Sequence, residues 1–148
     1  MEYAIGIGLG FAVAAFAKVS GFDRDRSFYP TVAIVIAFYY VLFATMGAPP
    51  AILATEIAIA LGFSVLAVIG FKRNLWLAAA AIAGHGAFDF LVHPTIDNPG
   101  MPVWWPGFCG SIDLLLGAWL ALSLSKQPSD PSPANAPTSA PASSRAHT

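Results

Sequence analysis

Residues 50–71 read PAILATEIAIALGFSVLAVIGF, an apolar run that contains a single ionisable side chain, Glu56. As an α-helix this run would be about 33 Å long, which is enough to cross the hydrocarbon core of a bilayer, about 30 Å thick. Adjacent prolines mark its start, and the basic pair of Lys72 and Arg73 follows its end. The run therefore predicts a membrane-spanning helix with defined ends.

Four further apolar runs are similar in length. They are Tyr3–Val19, Tyr29–Gly47, Asn74–His93 and Phe108–Ser125. Of the 148 residues, 57% are hydrophobic and only 10% are charged, whereas a soluble domain carries about a quarter charged residues. The mean hydropathy is +0.68. We therefore expect an all-α integral membrane bundle of about five transmembrane helices over residues 1–125, with Tyr3–Val19 as the shortest span.

The basic residues follow the first, third and fifth runs and are absent from the other breaks. They are Lys18, Arg24, Arg26, Lys72, Arg73, Lys126 and Arg145. Under the positive-inside rule, this pattern predicts an N-terminus outside, a C-terminus inside and a multi-pass protein of a bacterial-type inner membrane. Residues 126–148 are rich in Pro, Ala and Ser and predict a disordered cytoplasmic tail. The net charge of −1 argues against nucleic acid as a partner and leaves the lipid bilayer.

Five acidic or histidine side chains lie within the predicted spans or at the end of one, away from Lys18 at the inner end of the first span. They are Glu56, His85, Asp89, His93 and Asp113. Counted along their helices, the three acidic residues lie roughly 6–9 Å below the predicted outer boundary, so three helices contribute to one layer. An ionisable side chain at such a depth is costly and indicates a functional site. Without a basic partner, the carboxylates must be protonated, paired with imidazolium, hydrated or bound to a cation.

The fourth predicted helix carries His85, Asp89 and His93 at intervals of four residues, which places them on one face. In a continuous helix the two histidines are about 12 Å apart along the axis, so one ion is expected to bind Asp89 with only one of them. A metal site would then need Glu56 or Asp113 as a further ligand, or two ions that share Asp89. Imidazole together with carboxylate suits zinc, iron or manganese. The sequence therefore predicts a divalent-metal site with these five residues as candidate ligands.

Neighbouring residues could assist this layer. Tyr39 and Tyr40 lie about halfway along the second run and could form hydrogen bonds with His85. Cys109 is expected to be a packing residue, with metal ligation as the alternative. The segment 93–107 is rich in proline and contains two tryptophans. It predicts either a lid over the site or an anchor in the membrane interface.

Three functions are compatible with the layer. The leading hypothesis is an outward-opening metal site that acts on a lipid-like substrate. The second is proton or cation movement by a small transporter or channel component, for which a homo-oligomer is expected. The third is a structural or assembly protein in which the layer only fixes the register of the helices. The sequence contains no G-x-S-x-G, H-E-x-x-H or C-x-x-C motif, so neither an enzyme class nor a catalytic residue follows from it.

The segment Gly84-His-Gly-Ala-Phe-Asp-Phe-Leu-Val-His-Pro, with the later Pro-Val-Trp-Trp-Pro-Gly-Phe-Cys and Asp113, resembles a family of small bacterial membrane proteins of unknown function. The resemblance covers the last two helices best and implies no activity. A more distant likeness is to the membrane-embedded zinc hydrolases of the alkaline ceramidase type, which also place His and Asp ligands on helices. The chain differs from these in having fewer helices and a second histidine eight residues after the first rather than four. That likeness is an analogy alone.

Overall fold

A computed structural model of the protein describes residues 1–126 and has an all-α fold. Its five α-helices are α1 (Glu2–Ser20), α2 (Phe28–Ala44), α3 (Pro50–Lys72), α4 (Leu75–Leu91) and α5 (Trp105–Ser125). Short 3-10 helices follow α1 and α4, at Phe22–Arg24 and His93–Thr95. Apart from Lys126, the predicted tail of residues 126–148 lies outside the described residues.

Four of the helical segments are long and apolar enough to cross a membrane. They are Glu2–Ser20, Pro50–Lys72, Leu75–Thr95 and Trp105–Ser125. The remaining helix, α2, is apolar as well but has 17 residues. The prediction that the first run is the shortest is wrong, because α1 has 19 residues and α2 ends at Ala44, before the turn that contains Gly47. The number, length and hydropathy of these helices make the chain a multi-pass membrane protein.

The α4 helix occupies the centre of the bundle, where it packs against α2, α3 and α5. Small residues allow α4 and α5 to approach closely. A Cβ atom at Gly86 would lie 2.9 Å from the Cβ atom of Asp113, and one at Gly117 would lie 2.7 Å from the Cβ atom of Ala83. Since real Cβ atoms do not approach so closely, these glycines permit the helix contact that brings Asp113 beside α4.

The two ends of the bundle differ in chemistry. The loop end carries the α2–α3 turn and the segment 92–104. The basic end carries the basic residues of the described chain, namely Lys18, Arg24, Arg26, Lys72, Arg73 and Lys126. The core of the basic half is apolar, with Ala33, Ala67, Ala78 and Leu120 among its buried side chains. Large apolar side chains are exposed around the bundle, as expected for a surface in contact with lipid.

Candidate functional site

The five ionisable residues singled out in the sequence converge in the half of the bundle nearest the loop end. They come from α3 (Glu56), α4 (His85 and Asp89), the 3-10 helix after α4 (His93) and α5 (Asp113). All five side chains are buried, and Asp89, His93 and Asp113 have no exposed surface at all. The structure thus brings together acidic groups from three helices that the sequence placed only at a common depth.

The contacts run in a chain from one side of the cluster to the other. The Nδ1 atom of His85 lies 2.9 Å from Asp113 Oδ2 and 3.5 Å from Asp89 Oδ1. The Nδ1 atom of His93 lies 2.7 Å from the same Asp89 oxygen, and its Nε2 atom lies 3.4 Å from Glu56 Oε2. Carboxylates and imidazoles therefore alternate from Glu56 to Asp113, with Asp89 in the middle.

The two histidine rings lie closer together than the separation of about 12 Å that was expected along the axis of a continuous helix. The α4 helix ends at Leu91, and a 3-10 turn begins at His93. The ring centroids of His85 and His93 are only 5.8 Å apart. Helices commonly end at or before the residue that precedes a proline, and Pro94 follows His93 directly. Both imidazoles consequently reach the carboxylate of Asp89.

Three of the five residues form a group that could hold a metal ion. His85, Asp89 and Asp113 each offer one ligand atom, and these atoms all lie within 4.8 Å of one another. Glu56 and His93 lie outside this group, on the other side of Asp89. One imidazole nitrogen with two carboxylate oxygens is a ligand set suited to zinc, iron or manganese.

A sixth polar residue, Asn98, joins the cluster from the loop and did not emerge from the sequence. Its side chain is 5% exposed, and its Nδ2 atom donates to Glu56 Oε1 at 3.1 Å and to the Tyr40 carbonyl oxygen at 3.2 Å. Because Asn98 lies between prolines in a segment without helical periodicity, no spacing rule could assign it to the site. Through Asn98 and His93, the segment after α4 supplies part of the cluster itself.

The aromatic neighbours of the site pack against the imidazole rings. The Tyr40 ring stacks on His93, with ring centroids 3.4 Å apart and an interplanar angle of 5°. Phe63 and Phe88 meet His85 and His93 edge to face, at 4.8 Å and 4.9 Å. The Tyr40 hydroxyl forms no hydrogen bond within residues 1–126, so the expected bond to His85 is absent from the described chain. Tyr39 points elsewhere and packs on Trp105.

Cys109 lies close to the cluster without belonging to the metal-ligand group. It is buried and precedes Asp113 by about one turn of α5. The ligand atoms within 4.8 Å of one another come from His85, Asp89 and Asp113 and do not include the Cys109 sulfur. The position therefore agrees with a packing role.

Many polar atoms of the cluster are buried without a hydrogen-bond partner among the described residues. They are Tyr40 OH, Glu56 Oε2, His85 Nε2, Asp89 Oδ2, His93 Nε2, Asn98 Oδ1 and Asp113 Oδ1. Buried polar atoms in folded proteins are nearly all satisfied, and each exception calls for an explanation such as an ion or a water molecule. Asp89 and Asp113, which belong to the group that could hold a metal ion, each have one carboxylate oxygen without such a partner.

Comparison of the chain with models of protein families, with curated proteins and with solved structures found no match. The resemblance of residues 84–113 to small bacterial membrane proteins therefore stays a prediction. The function of the chain must be inferred from the chemistry of the buried cluster.

Proposed function

We propose that the protein binds one divalent metal ion inside the membrane through His85, Asp89 and Asp113. The observation that carries this proposal is the grouping of their three ligand atoms within 4.8 Å of one another, together with unpartnered oxygens on both aspartates. Three protein ligands leave a coordination position for water or substrate, as in catalytic rather than structural zinc sites. Zinc, iron and manganese all suit this mixture of nitrogen and oxygen ligands.

Charge balance supports a divalent cation. Glu56, Asp89 and Asp113 carry three negative charges when ionised, and no Lys or Arg forms an ion pair with them within the described chain. One divalent ion and one imidazolium would balance these charges. His93 is well placed to be that imidazolium, because its two ring nitrogens face Asp89 and Glu56 and the Tyr40 ring covers its face.

Glu56 and His93 would then act as outer partners of the ligands. Ligand groups in metal sites are usually oriented by further hydrogen bonds, which set their geometry and basicity. His93 contacts the Oδ1 atom of Asp89 at 2.7 Å, Glu56 contacts His93, and Asn98 holds Glu56. These successive contacts would keep the Asp89 carboxylate oriented toward the metal ion.

In this proposal all five α-helices cross the membrane, including the shorter helix α2. Its 17 residues would extend over about 25 Å, at the short end of what spans a bilayer. The basic end would face the cytoplasm and the loop end the outside of a bacterial inner membrane, because basic residues remain on the cytoplasmic side. A metal ion at the depth of Asp89 could polarise a carbonyl group or activate water, which supports chemistry on a lipid-like substrate.

A proton-exchange function is the second candidate, favoured by the alternation of carboxylate and imidazole from Glu56 to Asp113. Such an alternation allows protons to pass between neighbouring groups. In the described chain, however, this row of groups stays near the loop end, and the core of the basic half is apolar. Transport across the whole membrane would therefore require a polar path supplied by another subunit.

The metal content of the detergent-purified protein, measured by mass spectrometry without chelators, tests the proposal. The wild type should contain close to one equivalent of metal, and His85→Ala and Asp89→Ala should contain none. Asp113→Asn, which preserves the side-chain shape, should lose the metal while remaining folded. Cys109→Ala is the matched control, since it alters a buried neighbour that is not a proposed ligand. Wild-type protein without metal, or variants that retain it, would refute the proposal.

A further inference from the structure

A cleft with a volume of about 360 Å³ leads from the loop end of the bundle to the buried cluster. Tyr3 of α1 forms one wall, Pro106 and Gly107 of α5 form another, and the segment after α4 closes the third side. Asp89 lines this cleft. The cleft thus extends from the loop end as far as the central residue of the cluster.

Acidic and amide groups mark both ends of the cleft. Asp97 is exposed and lines the cleft, while Asp89 is fully buried and has an Oδ2 atom without a hydrogen-bond partner among the described residues. The Oδ1 atom of Asn98, another residue of the wall, is likewise buried and unpartnered. Two aspartates and an asparagine therefore line the cleft together with apolar residues.

The lipid-facing sides of the cluster offer no comparable path. Phe63 and Phe88 pack edge to face on the two imidazoles, so apolar rings separate the cluster from the surface groove that they line. The larger groove between α1 and α2 has a volume of about 530 Å³, but its wall is mostly apolar and includes none of the clustered residues. Of these three cavities, the cleft at the loop end is the one that Asp89 lines.

We propose that this cleft is the entry path for the metal ion, and that a hydrated divalent cation passes from the aqueous phase at the loop end, past Asp97, to Asp89. The inference rests on the proposed metal site and adds the route and the class of ligand. Asp97 would act as a capture group, because a charge at the mouth of a cleft raises the rate at which counter-ions arrive. Hydrating water would be exchanged step by step for carboxylate and amide oxygens along the wall.

The first test measures the rate of Zn²⁺ uptake by protein from which metal has been removed, at low ionic strength. Asp97→Asn should take up Zn²⁺ about tenfold more slowly than the wild type, since it lacks the attracting charge. Asp25→Asn is the charge-matched control at the basic end. The N–H of Ser27 donates to the Asp25 carboxylate and lowers its pKa, so this residue is charged at neutral pH. Equal uptake rates for Asp97→Asn and Asp25→Asn would overturn the role of Asp97 as a capture group.

The second test blocks the cleft. In a Cys109→Ala background, Met101→Cys and Ile96→Cys place a thiol in the cleft wall, and Thr95→Cys places one on the same segment outside it. After reaction with a bulky maleimide, the release of bound Zn²⁺ to an excess of chelator should slow several-fold for Met101→Cys and Ile96→Cys but not for Thr95→Cys. Release at the unlabelled rate from all three would overturn the entry path alone. A wild type that binds no Zn²⁺ would overturn the proposed function and the path with it.

Discussion

Asp89 is the residue on which the cluster depends, because its carboxylate is shared by two imidazoles. His93 reaches Asp89 Oδ1 at 2.7 Å and His85 reaches the same atom at 3.5 Å, while Asp89 Oδ2 has no partner among the described residues. One oxygen is therefore oriented by neighbouring side chains, and the other is available to a ligand. This division resembles the way in which metal-binding carboxylates are held in place by outer hydrogen bonds.

Glu56 should tune the metal affinity without being essential to it. The change Glu56→Gln removes the negative charge that faces His93 Nε2 at 3.4 Å and should weaken metal binding by about 10–100-fold, as expected for an outer partner. Competition against a chelator of known affinity would measure the change. Ser64→Ala is the control on the same helix, since among residues 1–126 the Ser64 hydroxyl bonds only to the Ala60 carbonyl oxygen. Complete loss of metal in Glu56→Gln would instead make Glu56 a direct ligand.

Metal binding should release protons, and the number follows from charge balance. Without a metal ion, the three buried carboxylates need three bound protons to make the cluster neutral. With a divalent cation bound, one proton, on His93, is enough. About two protons should therefore leave as the ion binds, so the metal affinity should fall as the pH is lowered. Calorimetry in buffers of different ionisation enthalpy would count the protons. Release of none would show that the ion does not replace protons on these carboxylates.

At the scale of the elements, the close contact between α4 and α5 positions the ligands. A Cβ atom at Gly86 would lie 2.9 Å from the Cβ atom of Asp113, and 2.8 Å from the Gly110 carbonyl oxygen. Gly86→Ala should therefore push the helices apart, destabilise the fold by about 1–3 kcal/mol and lower the metal affinity. Thermal unfolding and metal content of the purified protein would measure both effects.

The control for this substitution is Gly62→Ala in the middle of α3. A Cβ atom at Gly62 would have no neighbour within 4 Å, so the added methyl group should be tolerated and the metal retained. If Gly62→Ala were as harmful as Gly86→Ala, the loss would reflect the removal of helical glycine in general. The proposed dependence of the site on the α4–α5 distance would then be wrong.

The helices and the segment after α4 also differ in how much of the fold and the site could be predicted from the sequence. Helical segments of sufficient length follow from hydropathy, and the common depth of Glu56, Asp89 and Asp113 follows from the helical rise of about 1.5 Å per residue. The contact between His93 and Glu56 could not be obtained in this way, because it depends on how the 3-10 turn after Leu91 packs against α3. Asn98 was missed for a related reason, since its contacts span 42 and 58 residues and lie in a segment without periodicity.

At the scale of the whole molecule, the interior of the bundle is polar in the half nearest the loop end and apolar in the half nearest the basic end. The clustered acids and imidazoles lie toward the loop end, while the core of the basic half is formed by residues such as Ala67, Ala78 and Leu120. An ion or proton that reaches Asp89 has no polar continuation toward the basic end within the described chain. This asymmetry favours a site that opens to one side of the membrane rather than a pathway that crosses the membrane.

The orientation of the bundle decides which compartment supplies that site. We predict that the loop end faces outside, because the basic residues of the described chain lie at the other end. In a Cys109→Ala background, Val103→Cys at the loop end (97% exposed in the wild type) should react with a membrane-impermeant maleimide in intact spheroplasts. Asp25→Cys, at the basic end, should react only after lysis. The reverse labelling pattern would leave the cleft and its ligands unchanged but would make the cytoplasm the source of the metal ion.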